Sequence, residues 1–129
     1  MAWTKFTNQQ QKTPAFYISK GSIIINNAAI KNLKLSSEIK RVTLRYDDEK
    51  PNLVRMDFHK SWPVDSLPLI KVAFPYDKTK CNLRINCSKF FELIGFKHPT
   101  CKYKCTNFKR ENDYVVLDLN DRFVAYELD

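Results

Sequence analysis

The chain has 129 residues, 43% of them apolar, and carries 22 Lys and Arg against 14 Asp and Glu for a net charge of +8. That is one domain's worth of chain, too hydrophobic for disorder and without an apolar run long enough to span a membrane. Two glycines leave nothing from which to build a phosphate-cradling loop. The opening Met1-Ala2-Trp3-Thr4-Lys5 lacks the apolar stretch of a secretory signal, which points to the cytoplasm and to four cysteines kept as free thiols.

Residues 1–15 read as a flexible polar arm, and residues 16–129 as a single domain. A strand at 16–18, a Lys20-Gly21 turn and an apolar β-branched strand at 22–25 predict a hairpin. Asn26 or Asn27 then caps a short helix whose stripe is Ala29, Ile30 and Leu33. Period-two alternation over 41–46 and 53–58, split by the polar stretch 47–52, predicts a second hairpin. Residues 59–68 hold Pro63 and Pro68 around Trp62, an ordered linker expected to be pinned to the core by its aromatic ring. Strands follow at 69–74 and 82–85 about a turn at 75–80. A helix begins at Ser88 with Phe90, Phe91, Leu93 and Ile94, and Gly95, suited to positive φ, stops it ahead of Pro99. Residues 102–108 and 114–119 read as the last hairpin, and 122–128 as a C-terminal edge strand.

The same order of elements occurs twice. Residues 23–26 recur as 83–86 at an offset of sixty, and 41–46 and 53–58 recur as 102–107 and 114–119 at sixty-one, with the extra residue placed near Gly95. A unit of about forty residues cannot bury its own apolar face, so two ββαββ copies, 16–58 and 69–119, are expected to complete one core. The chain is then a monomer that is its own pseudo-dimer, or a homodimer.

A hairpin with a Gly-containing turn, an apolar strand, one short helix and a hairpin with an acidic turn resembles the swapped-hairpin barrel of the AbrB and MraZ transcription regulators and the MazE antitoxins. The resemblance is carried by Ile18-Ser19-Lys20-Gly21-Ser22-Ile23-Ile24-Ile25, by 28–35, and by Val42-Thr43-Leu44-Arg45-Tyr46-Asp47-Asp48-Glu49. It implies a mainly β fold with short helices, a pseudo-twofold swapped-hairpin β barrel, and a DNA-binding regulator of prokaryotic or phage origin. Gly21-Ser22 and Ile25-Asn26 stand where that family usually has Gly-Arg and Ile-Pro.

Nine basic residues against Glu92 alone lie between Lys78 and Arg110, a localised positive surface suited to the phosphates of duplex DNA. The candidate phosphate clamps are Lys20, Lys31, Lys34, Lys80, Arg84 and Lys89. Asn26, Asn27, Asn82 and Asn86 can present amides to base edges, or the two Ile-Asn pairs can simply cap helices. Cys81, Cys87, Cys101 and Cys105 with His98 lack a tight Cys-x-x-Cys knuckle, so no metal or other cofactor is expected. Neither His59 nor His98 has a nucleophile setting, and Asp57 and Asp118 read as outward strand positions, so the chain reads as a non-enzyme with no membrane role. Trp3, Phe6, Phe16, Tyr17 and Trp62 support an alternative: a small phage or mobile-element protein that binds and inhibits a host protein.

Overall fold

The computed structural model describes residues 3, 13–63, 65–74, 80–96 and 102–125. Most of the polar arm, the turn at 75–79, His98, Pro99, Cys101 and the end of the C-terminal strand lie outside these. The described chain is mainly β. Its elements are β1 (Phe16–Ser19), β2 (Ser22–Ile25), α1 (Asn27–Asn32), β3 (Arg41–Tyr46), β4 (Leu53–His59), β5 (Leu67–Pro68), β6 (Ile70–Ala73), β7 (Cys81–Asn86), α2 (Ser88–Leu93), β8 (Lys102–Cys105), β9 (Phe108–Glu111), β10 (Tyr114–Asp118) and β11 (Arg122–Ala125).

The strands form two antiparallel sheets, β11-β8-β1-β2-β7-β6 and β5-β3-β4-β10-β9. No ladder joins them among the described residues. Alternation sends Phe16, Ile18, Ile23, Ile25, Leu83 and Ile85 of the first sheet, and Val42, Val54, Met56, Val115 and Leu117 of the second, into one core closed by Ala29 of α1 and Phe91 of α2. Phe16 and Phe108 meet across the sheets with ring centroids 4.8 Å apart.

Each sheet contains a strand pair whose members correspond in the two halves of the sequence. In β2·β7, Ile23 faces Ile85 and Ile25 faces Leu83, so an offset of sixty maps the pairing onto itself. In β4·β10, Asp57 faces Tyr114 and Leu53 faces Asp118, and an offset of sixty-one does the same. The helices also correspond at sixty-one: caps Asn26 and Cys87, C-terminal residues Leu33 and Ile94, then Lys34 at φ 54° and Gly95 at φ 74°. Both end in a Schellman turn, with Leu35 N–H on Ile30 O at 3.0 Å and Phe96 N–H on Phe91 O at 2.8 Å. The offset between corresponding positions thus changes from sixty to sixty-one between Asn86 and Cys87, at the start of α2, rather than near Gly95.

The two helix starts differ in their capping. Asn26 accepts the Ala29 N–H at 2.8 Å and caps α1, whereas Cys87 occupies the same place before α2 without a side-chain cap.

The correspondence stops in the outer strands. β1 and β2 are joined by Lys20 and Gly21 alone, both at positive φ as a tight hairpin turn requires. β6 and β7 instead close a longer loop, pinned by Phe74 N–H on Lys80 O at 3.1 Å. The expected hairpin of 102–108 with 114–119 is split. β8 joins the first sheet between β1 and β11, and only β9 pairs with β10, through a two-residue turn with Asn112 at φ 53°. The linker also differs from expectation: Trp62 is 67% exposed, and buried Ser66 holds the segment instead, its hydroxyl accepting from Arg41 Nε at 2.6 Å. The β5 strand then pairs with β3.

Three substitutions test this packing. Tyr17 is buried to 2% exposure, yet its hydroxyl has no hydrogen-bond partner among the described residues. Tyr17→Phe removes an unsatisfied polar group and should leave stability unchanged or raise it by up to ~1 kcal/mol in denaturant unfolding, while Phe91→Ala should cost ~3–5 kcal/mol. Lys34→Gly should stabilise by ~1 kcal/mol, because a lysine is strained at its left-handed φ. A loss of stability on that change would contradict the turn geometry.

Candidate nucleic-acid interface

The two sheets differ in charge. The six strands of the first contain Lys71, Arg84, Lys102, Lys104 and Arg122 and not one Asp or Glu. The second carries Asp57, Glu111 and Asp118 among its basic residues. On β7 the core positions Leu83 and Ile85 are buried, so Asn82, Arg84 and Asn86 take the outward face. On β8 buried Cys105 likewise leaves Lys102 and Lys104 facing outward, against the ring of Tyr17, with Lys102 Nζ 4.4 Å and Lys104 Nζ 5.9 Å from its centroid. Partial burial pushes the Lys102 ammonium below its usual range.

The six sequence-predicted cations fall into two groups. Cys87 N–H donates to Gly21 O at 2.9 Å, which joins the turn bearing Lys20 to the start of the helix bearing Lys89. Arg84 reaches the same place, its Nε donating to Asn86 Oδ1 at 3.1 Å, while the Ser22 hydroxyl donates to that oxygen at 2.8 Å. Lys20, Arg84 and Lys89 thus gather at one end of the β2·β7 pair. At its other end, Asn27 N–H donates to Asn82 Oδ1 at 3.0 Å, which ties α1, with Lys31 and Lys34 near its C-terminus, to the start of β7 beside Lys80. The ladder between the two ends spans three residue steps, roughly 10 Å. Arg110 also reaches α1, donating to Leu33 O at 2.7 Å and Lys34 O at 3.1 Å, and so neutralises the negative end of that helix.

The asparagines divide into structural and exposed members. Asn26 is 6% exposed and fully engaged, accepting from Ala15 and Ala29 N–H and donating to Thr13 O at 2.8 Å, so it cannot read a base. Asn82 is occupied by α1. Asn86 is exposed and, contrary to the capping expectation for the second Ile-Asn pair, caps nothing; it orients Arg84. Lys102 and Lys104 were not among the sequence-derived contacts, although a Lys-x-Lys alternation on a strand puts both charges on one face.

The described cysteines do not gather. Among the described residues no three His, Cys, Asp or Glu side chains form a metal-sized group. Burial pushes the Cys87 and Cys105 thiols up to about 12, so both are neutral packing groups. Asp57 and Asp118 stand at opposite ends of the β4·β10 ladder and form no dyad. No helix of the described residues is long and apolar enough to cross a membrane. No protein-family model, curated protein or solved structure matches this chain.

The buried thiols set an alkaline limit. Their folded pKa lies above the ordinary 9.0, so the unfolded chain releases these protons first and stability should fall as pH rises from about 9 towards about 12. Each thiol contributes a slope of ~1.4 kcal/mol per pH unit in that window. Denaturant unfolding from pH 8 to 11 should therefore be flatter for Cys105→Ala than for the parent chain, even though the variant is less stable throughout. An identical slope would mean that Cys105 is not held neutral.

Proposed function

We propose that this chain is a DNA-binding regulator whose β2·β7 and β4·β10 pairs form a pseudo-twofold centre of the swapped-hairpin kind, one chain serving as its own pseudo-dimer in a prokaryotic or phage cytoplasm. The observation that carries the reading is the charge segregation: one sheet has five basic residues in its strands and no acid, and cations stand at both ends of its β2·β7 pair. A surface of one sign attracts a polyanion and gains affinity by releasing its condensed counterions. The swapped-hairpin architecture is supported by the self-mapping registers of β2·β7 and β4·β10. Lys20 and Lys80, sixty positions apart, precede the two central strands at matching places, as a pseudo-twofold reader of a pseudo-twofold duplex requires. Lys20, Lys31, Lys34, Lys80, Arg84 and Lys89 act as phosphate clamps, and the function is binding without catalysis.

Fluorescence anisotropy with duplex DNA across a salt series tests this. Six phosphate contacts give a slope of log affinity on log salt of about −5, and Lys20→Ala with Lys80→Ala should reduce its magnitude by about 2. Affinity independent of salt, or weaker than millimolar, removes the regulator reading.

A second reading, an inhibitor that docks on a host protein, is favoured by β6. It is an edge strand with Ile70 and Val72 exposed, unlike β9, whose edge carries Lys109 and Arg110. A partner retained on the immobilised chain after nuclease treatment of a bacterial lysate, and lost on Val72→Lys, would favour it.

A further inference from the structure

We propose that Arg45 and Arg55, on the outward face of the second sheet, form a binding site for a phosphoryl oxyanion, separate from the cations around Lys20 and Lys80. The two arginines face each other across the β3·β4 ladder. Like charges directly opposite on neighbouring strands are destabilising, so an unforced strand pair would avoid this arrangement. Here one carboxylate holds both. Arg45 Nε and Arg55 Nε each donate to Asp57 Oδ2 at 3.1 Å, and Arg55 Nη2 donates to Asp57 Oδ1 at 3.0 Å. The Asp57 side chain is 16% exposed, beneath arginines at 62% and 45%, so the carboxylate forms the floor and the guanidinium edges face solvent.

The arrangement is held from a second side. The Arg55 guanidinium lies 3.8 Å from the centroid of the Tyr114 ring. The Tyr114 hydroxyl donates to Glu111 Oε2 at 3.0 Å, and Glu111 is in turn paired with Lys109 Nζ at 2.8 Å. The hydrogen bond to Asp57 holds the Arg55 pKa above its ordinary value, and that to Glu111 does the same for Tyr114. Glu111 is already matched by Lys109, so the pair of arginines over Asp57 keeps one uncompensated positive charge. Among the described residues, neither Nη of Arg45 nor Nη1 of Arg55 has a protein partner. Two planar forks fixed by strands, each with free N–H groups, suit the oxygens of a phosphate or phosphomonoester, which accept paired hydrogen bonds. Such an anion removes the repulsion that Asp57 alone only partly offsets.

The test follows the arginine Nε–Hε resonances of the full chain while inorganic phosphate is added, with chloride at matched ionic strength as the control. Phenyl phosphate in a parallel arm distinguishes a phosphomonoester from the free ion. We expect saturable shifts at Arg45 and Arg55, with a dissociation constant below roughly 10 mM for at least one of the two ligands, and a loss of about tenfold in Arg45→Lys, which keeps the charge but not the fork. Shifts matched by chloride, or an Arg45→Lys protein that binds as tightly as the parent, would overturn the site. The parent-chain resonances decide the matter even where a variant fails to fold.

Discussion

Ile23, Ile25, Leu83 and Ile85 alternate across β2 and β7 so that all four enter the core, and this register sets the orientation of everything around it. A slip of β7 by one residue would turn Leu83 and Ile85 outward and drive Asn82, Arg84 and Asn86 into the apolar layer, at a cost no surface interaction offsets. The antiparallel direction of the pair fixes where the chain leaves each strand. β2 runs into α1 at one end of the pair and β7 into α2 at the other, so the short helices and their lysines are delivered to opposite ends. The delivery of the helices to opposite ends is a consequence of the antiparallel pairing of β2 with β7.

Much of this was legible because it is local. Period-two alternation located β1 to β4 within a residue or so, and the Ala29 and Phe91 stripes located both helices. Gly95 announced the end of α2 through its freedom at positive φ, but Lys34 performs the same turn with nothing in its residue type to reveal it. The entry to α2 misled for a similar reason. Asn86 has the chemistry of a cap, so Ile85-Asn86 looked equivalent to Ile25-Asn26, whereas β7 simply runs one residue further and leaves the cap position to Cys87. Trp62 misled through its size: an indole after a hairpin suggests an anchor, yet the segment is held by Arg41 and Ser66, a polar contact spanning 25 positions that hydropathy does not register.

The β8 strand shows where sequence reasoning ends. Its Lys-Tyr-Lys-Cys alternation states which side chains face inward but not which sheet receives them, because strand partners are chosen by the closure of the whole core. Phe108 to Glu111 was hidden differently. Three charged residues in four look like a loop, and they are tolerated in a strand because β9 lies at a sheet edge, where charge also blocks pairing with another chain. The candidate clamps were readable as a basic stretch, but their division into two groups needed the contacts of Gly21 with Cys87 and of Asn27 with Asn82, sixty-six and fifty-five positions apart.

The two outward faces solve different electrostatic problems. On the first sheet the cations stand apart, with Arg84 oriented by neutral partners and Lys102 and Lys104 against the Tyr17 ring, so the field is broad and of one sign. Such a field is screened over about 10 Å at ordinary ionic strength and acts best on an extended partner that meets many charges at once. On the second sheet Arg45, Arg55 and Lys109 each have an acid within contact distance, and Arg55 a ring as well, so the long-range field of these three is reduced. What survives there is short-ranged and geometric, two fixed forks with unpaired N–H groups. A long polyanion gains little from such a face, and a compact anion gains little from the other. On the proposed readings, the acid-free strands of the first sheet suit an extended polyanion and the arginine pair over Asp57 suits a compact one, so the placing of acids on the second sheet is what separates the two.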